Sequence, residues 1–254
     1  MSKAKTYYQI KKKQSKGVIY IYGDIVSDKW SDTDVTASEF KRDLESLGNV
    51  HEIDVHINSA GGNVFEGHAI YNMLKMHRAK INVYIDALAA SIASVIAMSG
   101  DTIFMHKNSF MMIHNSWIMA IGNAKELRDT AILLEKTDEA SNSAYLDKSN
   151  KLTEEELNKL LEAETWLTAV EAVDKGLADE ILEPNEIAAS ISENSKKLFK
   201  YVPEKVNKDL EKITNVEDIQ CQNLVETPKK SISDEEIKER EAIKQRAETL
   251  KLII

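Results

Sequence analysis

The sequence has one cysteine, Cys221, among 254 residues, so a disulfide cannot form within one chain. Its apolar runs are too short and too interrupted to cross a bilayer. The basic N-terminus, Met-Ser-Lys-Ala-Lys, lacks the following apolar stretch of a signal peptide. Basic residues number 33 against 42 acidic ones, a net charge of −9, which argues against a general nucleic-acid binder. We therefore expect neither a membrane nor a nucleic-acid partner.

The pattern of apolar residues predicts an α/β protein. Hydrophobic residues make up 43% of the chain, enough for one substantial core. Beyond Gly17, strand and helix patterns alternate, which favours a parallel sheet covered by helices. The predicted strands are 53–57, 81–85, 101–106 and 110–113, and the predicted helices are 36–48, 68–77, 122–147, 168–176 and a final one from 233 to 254.

Ser91 is the first candidate for chemistry. It follows the strand at 81–85, within the segment Asp-Ala-Leu-Ala-Ala-Ser-Ile-Ala-Ser (86–94). This segment predicts a tight turn and then a helix of small residues. At a helix N-terminus, free backbone N–H groups and the helix dipole stabilise a developing oxyanion. A serine at this position can therefore act as a nucleophile.

Two further segments place polar groups at strand exits. The turn Asn-Ser-Ala-Gly-Gly (58–62) follows one strand, and His114 follows the strand at 110–113. Each feature alone has an ordinary structural explanation: a simple turn, a core histidine, or, for Ser91, a small residue at a packed helix. Their order and spacing instead favour a nucleophile, a base and a glycine turn that meet where α/β folds carry their active sites.

The same motifs resemble those of the ClpP family of serine endopeptidases, and within it the ClpP-like head-maturation proteases of tailed bacteriophages. The resemblance runs from Gly17 to about Leu182. Its motifs are, in chain order, Ile-Tyr-Ile-Tyr-Gly-Asp-Ile (19–25), Ile-Asn-Ser-Ala-Gly-Gly (57–62), Ala-Ala-Ser-Ile-Ala-Ser (89–94), Met-Ile-His (112–114) and the segment 165–179. Alanine replaces the proline of the family's glycine motif.

This resemblance implies an α/β fold of the ClpP/crotonase-like β-β-α spiral type. The helix at 122–147 would be the protruding handle through which two rings of the family meet. The implied organisation is an N-terminal segment (1–16), a ClpP-like protease domain (17–183) and a C-terminal extension (184–254). The extension contains no glycine and carries 14 acidic and 13 basic residues. We expect it to be mainly helical or disordered, with a scaffold-like role.

The family's mechanism, carried onto matching positions, assigns four residues directly. Ser91 would be the nucleophile and His114 the general base, while the N–H groups of Gly61 and Ile92 would form the oxyanion hole. His106 is a rival base, but it precedes the polar turn before the strand at 110–113.

The acid of the triad departs from the family pattern. The family has an aspartate just before its Phe- or Trp-Leu-Thr-like segment, whereas this chain has Leu-Glu-Ala-Glu-Thr-Trp (161–166). Glu162 is the first choice, because it stands four residues before Trp166, where related phage enzymes carry an acid. Glu164 is then expected to be a structural acid.

The implied function is ATP-independent serine endopeptidase activity that processes capsid or scaffold proteins during phage head maturation. Residues before Gly17 do not resemble the unfoldase-docking segment of the bacterial housekeeping enzyme, hence the expected ATP independence. The resemblance further implies a homo-oligomeric ring, a heptamer or double heptamer, in the host cytoplasm or the prohead. It implies no cofactor and no metal.

Three other classes are considered. The chain could be a catalytically inactive ClpP-fold ring or scaffold protein in phage assembly, since the usual aspartate is missing. A crotonase-type acyl-CoA enzyme shares glycine turns above β/α units, but uses carboxylates rather than a serine–histidine pair. Signal peptide peptidases share the spiral fold and use a serine–lysine pair, whereas His114 supplies a base here.

Overall fold

The computed structural model of the protein describes residues 10–13, 16–183 and Phe199. The strands are β1 (Ile10–Lys13), β2 (Lys16–Tyr22), β3 (Glu52–Ser59), β4 (Lys80–Ala90), β5 (Thr102–His106), β6 (Phe110–Ile113), β7 (Thr165–Thr168) and β8 (Glu180–Leu182). The helices are α1 (Ala37–Ser46), α2 (Val64–Lys75), α3 (Ile92–Ala97), α4 (Ala124–Lys148), α5 (Glu154–Glu162) and α6 (Ala169–Asp174).

The strands form one mixed sheet. Their order is β1-β2-β3-β4-β5-β8, and β6 pairs with β4 while β7 pairs with β6. The β1–β2 and β6–β7 pairs are antiparallel, and the other pairs are parallel. Helices α1, α2 and α3 connect successive parallel strands, as α/β crossovers do. The α/β prediction is confirmed, and residues 10–13 of the predicted N-terminal segment add a strand to the sheet.

The core lies between the central strands and the crossover helices. Ile21, Ile57 and Ile85 occupy corresponding positions on β2, β3 and β4, and all three are fully buried. Parallel strands that are covered on both faces favour such β-branched side chains. Strand β4 is buried along nearly its whole length, so its C-terminal end is held firmly.

Side-chain caps determine where the helices begin. Thr36 accepts a hydrogen bond from the N–H of Glu39 and starts α1, as the sequence predicts. Helix α2, predicted from His68, instead begins at Val64. The reason is Asn63, whose side-chain oxygen accepts from the N–H groups of the second and third helical residues.

A register shift in β4 divides the sheet. Residues 82–85 of β4 pair with β5, whereas residues 88–90 pair with β6. The shift also appears against β3, where Ile57 pairs with Ile85 but Ser59 pairs with Ala89. Extra residues in one strand bend it and change its partner. The end of β4 is therefore directed beside β6 and away from β5.

Helix α4 has two unlike halves. Its N-terminal half is largely exposed, including Leu127, Ile132 and Leu133, whereas Ala144 and Tyr145 near its C-terminus are buried in the core. No helix within the described residues combines the length and apolar character needed to span a bilayer. The predicted helix at 233–254 lies outside the described residues.

Candidate active site

Ser91 lies at the junction of β4 and α3 in a strained conformation. Its φ of 53° and ψ of −131° belong to a region that L-residues rarely adopt. Its N–H donates to the carbonyl of Met112 at 2.9 Å, and all six residues of α3 are buried. Strand, helix and hydrogen bond together hold the turn, so the hydroxyl stands at the exit of a central strand.

His114 lies beside Ser91 because of strand pairing. Ala90 pairs with Met112, so the parallel strands β4 and β6 end next to each other. Ser91 directly follows β4, and His114 directly follows β6. The Nε2 atom of His114 lies 2.8 Å from the Oγ of Ser91. Both residues are half-buried. For Nε2 to accept the serine proton, the neutral ring must carry its own proton on Nδ1.

The register of β6 and β7 decides which glutamate comes near His114. In this antiparallel pair, Ile113 is opposite Thr165. The next positions outward are His114 and Glu164. Glu162, the first choice from the sequence, instead lies exposed in the last turn of α5. The fold thus brings Glu164, and not Glu162, to the edge where His114 stands.

Glu164 is also conformationally unusual. It has a φ of 52° and is half-buried directly after α5, where its N–H donates to the carbonyl of Leu161 at 3.1 Å. This is the position after a helix that normally takes glycine, because a side chain there costs about 1 kcal/mol or more. Among the described residues, Ser91 and Glu164 are the two non-glycine residues with positive φ. They flank the strand that leads into His114.

The predicted oxyanion donors lie next to each other. A Cβ placed on Gly61 would lie 2.7 Å from the Cβ of Ser91 and 3.1 Å from the N of Ile92, so the glycine turn packs directly against the nucleophile. Ile92 is the first residue of α3. The N–H of Gly61 donates to the Oγ of Ser59 at 3.1 Å. To donate to an oxyanion, the N–H of Gly61 must therefore turn away from Ser59.

Sequence reasoning missed two residues beneath the nucleophile. Ser94 donates its hydroxyl proton to the carbonyl of Ser91 at 2.5 Å, and its Oγ lies 2.6 Å from the hydroxyl of Tyr145. Because the hydroxyl proton of Ser94 is donated to the carbonyl of Ser91, the hydroxyl of Tyr145 must be the donor to the Oγ of Ser94. Both side chains are buried, and burial raises the pKa of the Tyr145 hydroxyl, which keeps it protonated. Helix α4 is thus joined to the strained turn. A tyrosine at this helical spacing gives no signal of that contact.

The rival base, His106, is engaged elsewhere. Its Nδ1 lies 2.7 Å from the carbonyl of Glu183, and its Nε2 lies 3.6 Å from the buried carboxylate of Asp86. The same carboxylate accepts from the hydroxyl of Tyr22 at 2.5 Å and lies 2.9 Å from the Nδ1 of His56. His106 therefore belongs to a hydrogen-bonded group around Asp86, not to the pair formed by Ser91.

The arrangement is suited to nucleophilic acyl transfer. A serine hydroxyl in hydrogen-bond contact with an imidazole can lose its proton as it attacks a carbonyl. In the described part of the chain, no three His, Cys, Asp or Glu side chains are arranged to hold a metal ion. Cys221 lies outside that part.

Comparison with known proteins agrees with this chemistry. The family model described as Clp protease matches residues 2–185. The ATP-dependent Clp protease proteolytic subunit of Ligilactobacillus salivarius is 34% identical over 142 residues, which are 55% of this chain and 72% of that protein. The subunits of the same name from Streptococcus mutans (32% identity over 149 residues, 57% and 75%) and Lactococcus lactis (30% over 149 residues, 57% and 74%) are similar to the same extent. Because the family model matches well over half of the chain, the chain belongs to the Clp protease family.

Proposed function

We propose that this protein is a serine endopeptidase in which Ser91 attacks the peptide carbonyl and His114 accepts its proton. Membership of the Clp protease family supports a serine-type peptidase. The observation that carries the assignment of residues is the 2.8 Å contact between the Oγ of Ser91 and the Nε2 of His114 at a strained strand exit.

The reaction proceeds through an acyl-enzyme. As Ser91 bonds to the carbonyl carbon, its proton passes to His114, which then protonates the leaving amine. The N–H groups of Ile92 and Gly61 hold the oxyanion, and each such donor is typically worth about 3 kcal/mol. A water molecule that gives its proton to His114 then hydrolyses the ester and restores Ser91.

For the third member of the triad, we assign Glu164 in place of Glu162. The Nδ1 proton of His114 needs an acceptor that holds the tautomer and stabilises the imidazolium. Glu164 is supported by the β6–β7 register and by its strained, half-buried position, whereas Glu162 is exposed at a helix end. A glutamate reaches further than the aspartate of the family, which suits a residue that stands just before the start of β7.

Labelling with a fluorophosphonate probe tests the function directly. The wild-type protein should be labelled at one serine, and Ser91→Ala should abolish the label. Ser46→Ala, an exposed serine at the far end of α1, is the matched control and should label normally. A folded wild-type protein that takes no label would favour the second candidate, an inactive ClpP-fold assembly protein, which is kept because the usual aspartate is absent.

Ring assembly is the second part of the proposal. Proteins of this family form oligomeric rings and act on protein substrates. Here the residues 117–121 and the N-terminal half of α4 expose several large apolar side chains, namely Trp117, Ile118, Met119, Ile121, Leu127, Ile132 and Leu133. So many exposed large apolar side chains in one stretch of the chain are unusual for a monomer. We assign it to contacts between copies, in a ring or double ring of seven subunits.

Sedimentation velocity of a charge-substituted variant tests this surface. The wild-type protein should sediment as a ring, and Ile132→Asp with Leu133→Asp should shift it to smaller species. Lys136→Asp, an exposed polar position on the same helix half, is the control for the added charge. A wild-type monomer at micromolar concentration contradicts this part of the proposal.

The third part of the proposal concerns the substrate and the need for ATP. Motif resemblance suggests capsid or scaffold proteins of a phage, cleaved without an unfoldase. The bacterial relatives are named as ATP-dependent proteolytic subunits, so an unfoldase-dependent member is the competing interpretation. The purified protein should cleave a loosely folded protein such as casein without ATP. Cleavage of short peptides alone would contradict the ATP-independent interpretation.

A further inference from the structure

A small apolar cluster lies beside the Ser91–His114 pair, separate from the main core. Its buried members are Ala60, Ala87, Leu88, Ala90 and Met112, and the partly buried Phe110, Trp166 and Phe199 pack against them. All of them except Phe199 come from the glycine turn, β4, β6 and β7, the elements that adjoin the residues of the candidate site. The cluster therefore places apolar side chains next to the reacting groups, and the position that the ring of Phe199 takes against them is called the recess.

Phe199 is the member that comes from far along the chain. Its ring lies edge-on to His114, with centroids 6.1 Å apart, and edge-on to Trp166 at 5.7 Å. It is the one described residue beyond Glu183, and it is only partly buried. An aromatic side chain from the C-terminal extension thus rests in the recess and against the proposed base.

Trp166 shows that the recess is not filled as a finished core would be. Its Nε1–H is buried and has no hydrogen-bond partner among the described residues. A buried donor without an acceptor costs about 1–3 kcal/mol, and a phenyl ring cannot supply the missing acceptor. A ligand that brings both an apolar side chain and a carbonyl or hydroxyl oxygen would suit this recess better than Phe199 does.

Resting on the proposed function, we infer that Phe199 is an intramolecular occupant of the recess that binds the substrate side chain next to the scissile bond. A tethered side chain acts at an effective concentration of about millimolar, so a weak contact is enough to compete. Phe199 of the extension thereby competes with the substrate for the recess and lowers the apparent affinity for substrate.

Kinetics of Phe199→Ala in the full-length protein test the inference. Two fluorogenic peptides that differ only in phenylalanine or alanine before the scissile bond are compared. Removal of the competing ring should lower KM for the phenylalanine peptide by about three- to tenfold, since a partly buried phenyl ring contributes on this scale. The KM for the alanine peptide should change less, and kcat should stay the same. Trp30→Ala, which removes a largely exposed aromatic side chain outside this cluster, should change neither constant.

Two outcomes overturn the inference. An unchanged KM shows that the ring does not compete, and a fall in kcat shows that it supports His114 instead. If the alanine variant is unstable, Phe199→Leu replaces it in the test. Its KM for the phenylalanine peptide should lie between the values for the alanine variant and the wild type. Fluorophosphonate labelling of each variant reports the proposed function separately, because a failed inference leaves the labelling intact.

Direct binding gives a measurement without catalysis. A labelled peptide of residues 194–204 should bind the doubly substituted Ser91→Ala/Phe199→Ala protein by fluorescence anisotropy. The same peptide with alanine at position 199 should bind at least fivefold more weakly. Equal binding of both peptides overturns the inference even if the protein is an active peptidase. Tighter binding of the peptide with phenylalanine at position 199 supports the inference even if the protein is not an active peptidase.

Discussion

Ser91 and Glu164 share an unusual positive φ, yet they are held in different ways. Ser91, at φ 53°, is fixed by a central strand, a buried helix and a hydrogen bond to β6. Glu164, at φ 52°, lies between the end of α5 and the start of β7, both adjacent to it in the chain. Strain persists where the surrounding structure over-determines it, and it clusters at active sites. The comparison suggests one site with a rigid side and a more adaptable side, meeting at His114.

The largest effect should come from the rigid side. Ser91→Ala should lower kcat/KM for peptide hydrolysis by about 10⁴-fold or more, because the nucleophile and base act as a unit. The measurement is hydrolysis of a fluorogenic peptide by the assembled protein. The variant should fold normally, since the hydroxyl contributes little to the core. If Ser91→Ala stays active while Ser94→Ala does not, the nucleophile lies one helical turn further on.

The adaptable side should give the next largest effect. Glu164→Gln should lower kcat by about 10²–10⁴-fold, because the imidazolium of His114 loses its carboxylate while the shape of the side chain is kept. Glu162→Gln is the matched control and should stay within about twofold, as expected for an exposed surface position. The opposite order of effects would restore Glu162 as the acid. Small effects from both would assign the role to another acceptor.

Tyr145→Phe should produce a smaller loss through the rigid side. It removes the donor to Ser94, which orients the carbonyl of Ser91, so kcat should fall about three- to tenfold at unchanged KM. Thr137→Val on the same helix is the control, since its hydroxyl only donates to a carbonyl one turn earlier. The rate of fluorophosphonate labelling should fall in parallel for Tyr145→Phe. A lower melting temperature with normal labelling would mean that the tyrosine supports only the fold.

The smallest effect concerns stability and compares the two strained residues directly. Glu164→Gly should raise the free energy of unfolding by about 0.5–1 kcal/mol, because glycine adopts positive φ without steric cost. Ser91→Gly should likewise be more stable than Ser91→Ala. Glu162→Gly, at a regular helical position, should instead lose up to about 1 kcal/mol. Denaturant unfolding measures all four variants. A destabilised Glu164→Gly would show that the carboxylate holds the turn by its contacts.

Helix α4 shows why spacing alone could not describe the assembly. The sequence predicted a long helix at 122–147, and the structure has it at Ala124–Lys148 with a capping box from Asn123 and Glu126. Its apolar stripe is exposed in the first half and reaches the core in the second. A periodic pattern indicates that a face is apolar, but whether the same chain or another copy covers it depends on tertiary packing.

The acid of the site shows a second limit. Glu162 and Glu164 are both acidic, and both stand near Trp166 in the sequence. Only the pairing of β7 with β6, across some fifty residues of chain, places one of them beside His114. The positive φ of Glu164 is equally invisible in the sequence, because glycine, the usual signal for that conformation, is absent.

By itself, the sequence determined the local features: the buried parallel strands, the cap of α1, the small-residue turn at Ser91 and the histidine that follows β6. These follow from side-chain shape, periodicity and short-range hydrogen bonds, which act within a few residues. The tertiary structure alone decided the change of β4's partner from β5 to β6, the position of Glu164, the support of Ser91 by Tyr145 and the contact of Phe199 with His114. Each of these joins segments far apart in the chain, so it depends on strand register and on how the core packs, which no local pattern encodes.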